Sequence, residues 1–180
     1  MNWTVESMKQ HLQDRGMDYS KYPIDFDPVE GVISFHLFNG NGHFVGYQQY
    51  RPDQPSKQKK NDPKSGRYFT YLRSETDGVF GLDVLDHKDR SIFVVEGVFK
   101  AAVIHRLGYN AIAVLTSSPK RLKPWLKILR QTWNLIAIGD NDDAGKRLVN
   151  IVGKGCQSPL DIDEMNDYDV LELLGGCKAP

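Results

Sequence analysis

The second half of the chain alternates short apolar runs with segments that have the periodicity of amphipathic helices. The apolar runs lie at residues 92–95, 111–115 and 135–138. The helix-like segments follow them at residues 98–107, 119–132 and 143–152. Such short apolar runs are typical of strands buried on both faces, and strand–helix alternation places them in one parallel sheet. The pattern therefore predicts an α/β domain whose parallel sheet is flanked by helices.

The first half of the chain carries a different pattern. Residues 4–15 have the pattern of a short helix, with Thr4 as its N-cap and Gly16 just beyond its end. Residues 32–38 and 43–50 resemble strands, and an Asn/Gly stretch separates them. Two strands joined by such a turn predict a β-hairpin.

A third strand-like segment, residues 67–73, follows a polar and basic loop. The change of pattern near residue 91 marks the start of the α/β part. We therefore expect three parts: an N-terminal helix at 1–21, a small basic, mainly antiparallel β subdomain at 22–88, and the α/β domain at 89–180.

The composition is that of an ordinary globular protein, because 40% of the 180 residues are hydrophobic and 26% are charged. The two cysteines, Cys156 and Cys177, are too few for the usual four-ligand zinc site, and we expect idle thiols in a reduced protein. No apolar run approaches the roughly 20 residues that span a bilayer. The N-terminal sequence MNWTVESMKQ lacks the features of a signal peptide. We expect a cytoplasmic protein with no membrane partner.

The net charge of zero hides an asymmetry. Residues 51–73 contain seven basic and two acidic side chains, a net charge of +5. Residues 137–180 contain nine acidic and four basic side chains, a net charge of −5. One stretch can hold a polyanion and the other metal ions, although both can equally be solvated surface.

Acidic residues directly follow two of the predicted strands. Glu96 comes after the first apolar run, and Asp140 and Asp142 come after the third. Functional side chains collect at the carboxyl ends of parallel strands, and carboxylates are ligands that Mg²⁺ prefers. Gly139 and Gly145 permit a tight turn around the two aspartates. A lone Asp-x-Asp is usually a polar loop or a helix cap, but its combination with Glu96 predicts a metal site.

The same segments resemble a known family. FVVEGVFKAAVIHRLGYNAIAVLTSS, together with LIAIGDNDDAGKRL, looks like the TOPRIM domain of primases, topoisomerases and related nucleases. Upstream, Gly42–Arg51, Arg67-Tyr68 and Phe80-Gly81-Leu82 are similar to the part of bacterial and phage primases that precedes TOPRIM. Downstream, Asp163-Glu164-Met165-Asn166-Asp167 resembles a Lys-Asp-x-Asn-Asp segment of phage primases. The resemblance covers roughly residues 30–175 and favours primases.

The resemblance implies a catalytic core that joins NTPs into RNA on a single-stranded DNA template, with Mg²⁺ or Mn²⁺ as cofactor. Glu96, Asp140 and Asp142 would be catalytic metal ligands, and Asp143 occupies a position that is acidic in some relatives. The side chains implied in binding nucleic acid or nucleotides are Arg51, Lys57, Lys59, Lys60, Lys64, Arg67 and Lys100.

Three departures from the family pattern stand out. Lys100 replaces an acid that relatives often carry, which removes one candidate ligand and adds a cation near the phosphates. Asp163-Glu164 stands where phage primases have Lys-Asp. The sequence shows neither a zinc-binding module nor a GxxxxGK[ST] motif. We therefore expect a replicative helicase or a single-strand-binding protein as a partner, and a phage or mobile element as the source.

Two other functions stay open at this point. A Mg²⁺-dependent TOPRIM nuclease would use the same carboxylates for hydrolysis. The chain could instead be a non-catalytic TOPRIM module that binds nucleic acid or protein. Lys100, in place of an acid, would then reflect the loss of a catalytic residue during divergence. A topoisomerase is less favoured than these two, because strand passage needs a tyrosine-bearing domain and a large gate, which 180 residues cannot supply.

Overall fold

A computed structural model describes residues 2–55, 62, 65–73, 77–116 and 120–178. The chain separates into two compact units, Met1–Gly78 and Val79–Pro180. Within the described ranges, no helix is both long and apolar enough to cross a membrane.

The first unit opens with helix α1, Val5–Asp14. Thr4 is its N-cap, because the Thr4 hydroxyl accepts a hydrogen bond from the Ser7 backbone N–H at 3.1 Å. The Ser7 hydroxyl in turn accepts from the Thr4 backbone N–H at 2.9 Å, which completes a capping box. Gly16 follows the helix with a φ of 76°, a value that glycine adopts at little cost. The predicted helix is confirmed.

A four-stranded antiparallel sheet completes the first unit. Its strands, in the order β1-β2-β3-β4, are Ile24–Asp27, Val32–Phe38, Phe44–Tyr50 and Tyr68–Leu72. The predicted hairpin is β2 with β3, and the predicted third strand is β4. Alternate residues of β2 are fully buried, namely Ile33, Phe35 and Leu37. The period of two therefore places one face of this sheet on a core.

The second unit contains a four-stranded parallel sheet in the order β6-β5-β7-β8. Its strands are β5 Ser91–Val95, β6 Ala111–Ala113, β7 Asn134–Gly139 and β8 Gly155–Gln157. Its helices are α2 Val98–Arg106, α3 Lys123–Leu129, α4 Asp143–Val152 and α5 Asp167–Lys178. A parallel sheet flanked by helices, with a mainly antiparallel subdomain before it, confirms the predicted fold class.

Two boundaries differ from the prediction. The helix expected at 119–132 is shorter, since it begins at Lys123 with Pro124 in its first turn. Proline fits there because it lacks the N–H that a later position would need. The second unit begins at Val79 instead of residue 89, because Val79 and Phe80 are buried and Phe80 bridges to Ala113.

The two cysteines are bonded to each other, so the expectation of idle thiols is wrong. Cys156 is the middle residue of β8, Cys177 lies in the last turn of α5, and their Cα atoms are 5.6 Å apart. Neither element was predicted, so nothing in the sequence indicated that residues 21 positions apart would meet.

Reduction of the Cys156–Cys177 bond should lower the free energy of unfolding by about 2–3 kcal/mol, because opening the crosslink returns conformational entropy to the unfolded chain. Urea unfolding with and without dithiothreitol measures the difference. A Cys156→Ser/Cys177→Ser variant is the control, since its midpoint should not respond to reductant. Equal midpoints for oxidised and reduced wild-type protein would contradict the expectation.

Candidate functional site

The site lies at the carboxyl edge of the parallel sheet. Strands β5 and β7 are hydrogen-bonded neighbours, with Val94 opposite Ala137. Glu96 directly follows β5 and Asp140 directly follows β7. Parallel strands that pair in this register end at the same edge, so Glu96 and Asp140 are brought together although they are 44 positions apart in the sequence.

The loop that carries Asp140 and Asp142 is fixed by hydrogen bonds. Asp142 is the N-cap of α4, and its carboxylate accepts from the Gly145 backbone N–H at 2.7 Å. The side-chain amide of Gln157 donates to the carbonyl oxygens of Asp140 and Asp142, at 2.8 and 2.9 Å. The cap and the Gln157 amide hold the loop from both sides, which preorganises the two aspartates.

Two glycines let the backbone of this loop approach itself closely. A Cβ on Gly145 would overlap the backbone of Asp140 and lie 2.7 Å from the Gly139 carbonyl carbon. A Cβ on Gly139 would overlap the backbone of Gly145 in return. The first turn of α4 thus packs directly on the end of β7, as the sequence predicted for these positions.

Glu96 carries the clearest electrostatic signature of a functional group. Its Oε1 atom is buried and has no hydrogen-bond partner among the described residues. Burial, followed by repulsion from Asp140 and Asp142, raises the pKa of Glu96 from 4.5 to about 7, against an opposing attraction from Lys100 and Arg147. The three acids therefore share one region of negative potential, which a cation would stabilise.

Lys100, from the first turn of α2, lies within this region. Its ammonium pairs with the carboxylate of Asp140 and, at 2.7 Å, with that of Asp161. Burial lowers the pKa of Lys100, but the hydrogen bonds to Asp140 and Asp161 outweigh it and the pKa is raised. Lys100 is therefore positively charged at neutral pH.

The part of the chain that the structure describes contains no preformed metal-binding site, because no three Asp, Glu, His or Cys side chains there are arranged to hold an ion. Asp140 is paired with Lys100, Asp142 caps α4, and Asp143 is an exposed residue of the first turn of α4. The unpartnered Glu96 oxygen beside two acids still fits a cation. The role of these four acids as metal ligands stays a prediction.

Replacing Glu96 with glutamine should stabilise the metal-free protein at alkaline pH. Because the folded pKa of Glu96 is raised to about 7, wild-type stability falls as the pH rises from about 4.3 to 7 and stays low above it. We expect a gain of about 1 kcal/mol at pH 8, since solvent screens a half-buried group, and none at pH 4. Urea unfolding in EDTA at both pH values measures it, and an equal gain at both would contradict this account.

Apart from Lys100, which lies in α2, the basic side chains predicted to bind nucleic acid belong to the first unit. Arg51 donates through Nη2 to Gln49 Oε1 at 2.7 Å, while its buried Nη1 has no partner among the described residues. The Arg67 Nε donates to the Gln54 carbonyl at 3.1 Å. The Arg51 backbone N–H also donates to the Arg67 carbonyl at 2.8 Å, which places the two residues side by side. Other predicted residues lie outside the described ranges, namely Lys57, Lys59, Lys60 and Lys64.

Two residues of the site escaped the sequence analysis. Gln157, the last residue of β8, donates to the backbone of the aspartate loop. Asp161, four positions further along the chain, pairs with Lys100. Strand β8 has only three residues, too few for an apolar run or an alternating pattern. Recognising a fourth strand would have marked Gln157 and Asp161 as candidates, because β8 ends at the same edge as β7.

Neither a protein-family model nor a curated protein matches the chain. Solved structures do. The E. coli primase catalytic core is similar over 96% of this chain and 72% of its own, with a TM-score of 0.69 and 15% identity. The DnaG primase catalytic domain bound to ssDNA is similar over 97% of this chain and 58% of its own, with a TM-score of 0.60 and 17% identity. The RNA polymerase domain of Mycobacterium tuberculosis primase DnaG is similar over 94% of this chain and 66% of its own, with a TM-score of 0.57 and 18% identity.

At 15–18% identity, the likeness concerns the fold. It extends over both the antiparallel sheet and the parallel sheet, since more than nine-tenths of the chain is covered in each comparison. The predicted resemblance is therefore confirmed at the level of structure. The chain has the fold of the DnaG primase catalytic core.

Proposed function

We propose that the protein is a primase-like nucleotidyltransferase, which synthesises short RNA primers on a single-stranded DNA template by metal-dependent phosphoryl transfer. The observation that carries this proposal is the acidic edge of Glu96, Asp140 and Asp142 on a primase-like fold. A carboxylate oxygen that is buried without a partner among the described residues, beside two other acids, costs folding free energy. Groups with such strongly shifted pKa values cluster at functional sites.

Glu96, Asp140 and Asp142 would hold Mg²⁺ or Mn²⁺, with Asp143 as a further candidate. The bound ion would supply charge neutralisation at the triphosphate and activation of the attacking 3′-hydroxyl. Glu96 Oε1 has no hydrogen bond to a described residue that would have to break, so it would serve the ion as a ligand or accept the proton that the hydroxyl releases. Asp142 keeps its orientation through the cap on Gly145, so it need not reorganise when substrate arrives.

The first unit would hold the template through phosphate contacts from Arg51 and Arg67, with Lys57, Lys59, Lys60 and Lys64 contributing from the loop. The backbone hydrogen bond between Arg51 and Arg67 supports this role, because it sets two guanidinium-bearing residues side by side, and guanidinium groups bind phosphate well. One similar structure contains a DnaG domain bound to ssDNA, and another contains one bound to double-stranded DNA.

The direct test is incubation of the full chain with single-stranded DNA, labelled NTPs and Mg²⁺ or Mn²⁺. Template-dependent oligoribonucleotides are the expected product. Metal-dependent cutting of the DNA without synthesis would replace the proposal with a nuclease, and DNA binding without either reaction would replace it with a binding module.

Primer synthesis by the chain alone should be weak and unselective. Phosphate contacts carry no sequence information, and the sequence offers no base-reading motif. A replicative helicase or a single-strand-binding protein would therefore deliver the template. The same assay with and without replication proteins from the same source measures their effect.

Binding of single-stranded DNA should weaken as salt concentration rises. Replacing Lys57, Lys59, Lys60, Lys64 and Arg67 with glutamine should make the slope of log K against log salt shallower by about 1 for each phosphate that the variant no longer neutralises. Fluorescence anisotropy across a salt series measures the slope. A Lys123→Gln/Lys127→Gln variant, which removes exposed lysines from α3, is the control and should keep the wild-type slope. An unchanged slope in the five-residue variant would remove this surface from the proposal.

A further inference from the structure

Lys100 is a buried cation inside the candidate site. Only 8% of the residue is exposed, and its ammonium lies between the carboxylates of Asp140 and Asp161. Burying an ammonium group is costly unless it is paired and hydrogen-bonded. Two carboxylate partners meet that requirement, so this lysine is built into the site and is not a surface side chain that happens to lie nearby.

The chain itself fixes the position of this charge. Helix α2 begins at Val98, with Gly97 as its N-cap, so Glu96 lies just before the helix and Lys100 lies in its first turn. Asp140 and Asp161 come from two other segments. Asp140 directly follows β7, and Asp161 lies in the segment after β8. Lys100 therefore ties three parts of the chain together at the acidic edge.

An ammonium at Asp140 changes what else the acids can bind. A divalent ion seated on the same side of Asp140 would stand close to the ammonium, and two like charges at contact distance repel strongly in a partly desolvated site. Glu96 and Asp142 are not paired with Lys100 in the structure. The negative charges of Glu96 and Asp142 are thus not neutralised by direct pairing with Lys100.

We propose that Lys100 is a resident counter-cation, which occupies the Asp140–Asp161 side of the acidic cluster and limits the site to a single divalent ion. The inference rests on the proposed function only in assuming that the acids bind a metal. Lys100 acts here as a positioning residue: it holds the Asp140 carboxylate and supplies, as a fixed side chain, the charge that a second ion would otherwise bring. Removing the ammonium should open Asp140 and Asp161 to that second ion.

The test is the number of Mn²⁺ ions bound per chain, without DNA or nucleotides. Free Mn²⁺ gives a strong electron paramagnetic resonance signal that disappears on binding, so a titration of the full chain counts the bound ions directly. Wild-type protein should bind one ion, and Lys100→Gln should bind two, a twofold increase. Lys100→Arg keeps the cation and should bind one. Lys123→Gln, which removes an exposed lysine from α3, should also bind one.

The outcomes separate this inference from the proposed function. The counter-cation role would be overturned if the wild-type protein bound two ions. It would also be overturned if the wild type and a folded Lys100→Gln each bound one ion. Either result would leave the proposal of metal-dependent synthesis intact. No bound ion in any variant would overturn both. Circular dichroism shows whether Lys100→Gln is folded, and if it is not, two ions bound to the wild type or to Lys100→Arg would still overturn the inference.

Discussion

Asp142→Asn should lose RNA synthesis by on the order of 10²–10³-fold while keeping the stability of the wild-type protein. Asp142 has two tasks that this substitution separates. As an N-cap it accepts a hydrogen bond from the Gly145 N–H, and asparagine caps helices about as well as aspartate. As a ligand it supplies negative charge, which asparagine lacks. The folded protein should therefore persist with its site disabled.

Asp142→Ala is the companion variant. It should lose the same activity and, in addition, about 1 kcal/mol of stability, because the cap is removed together with the charge. Template-dependent incorporation of labelled NTPs, set beside urea unfolding of the same preparations, measures both effects. Near-normal synthesis by a folded Asp142→Asn would show that its charge is not required and would exclude Asp142 as a metal ligand.

Gly145→Ala should destabilise the protein by about 3 kcal/mol or more and abolish synthesis in the fraction that still folds. The added methyl group would overlap the backbone of Asp140, and backbone cannot move aside as a flexible side chain can. To relieve the overlap, α4 must shift away from the end of β7, which carries Asp142 away from Glu96.

Gly175→Ala, in the same unit, should instead stabilise the protein. Gly175 lies in α5, and a methyl group there would meet nothing within 4 Å. Alanine should therefore stabilise the protein by about 0.5–1 kcal/mol, the usual gain for replacing glycine within a helix. Thermal unfolding of both variants compares them directly. Similar melting temperatures would show that the loop at Gly145 is more adaptable than its close packing indicates.

The sequence predicted the parts of the fold in which local pattern and tertiary environment agree. The buried strands β5 and β7 are nearly continuous apolar runs, and Thr4 marks the start of α1 with a capping box. Neighbouring parallel strands end at the same edge of a sheet, and this rule placed Glu96 and Asp140 together. The hydrogen-bond register between β5 and β7 agrees with that placement.

The remainder depends on contacts between distant segments. Strand β8 has three residues and α5 contains two adjacent glycines, so neither has a strong intrinsic preference. The pairing of Cys156 with Cys177 and of Lys100 with Asp161 follows from where those elements pack. Resemblance marked Lys100 as a departure from its relatives, but only the structure supplies its partners.

The direct pairing of β5 with β7 determines which changes in length the protein can accept. Between these neighbouring strands the chain leaves the pair, forms α2, β6 and α3, and returns. The hydrogen-bonded ladder, and not the connecting chain, sets the distance between Glu96 and Asp140. Insertions between β6 and α3 would therefore lengthen the protein without moving these acids apart. A single residue inserted within β7 would reverse the alternation of its side chains and shift the Asp140 loop out of line with Glu96.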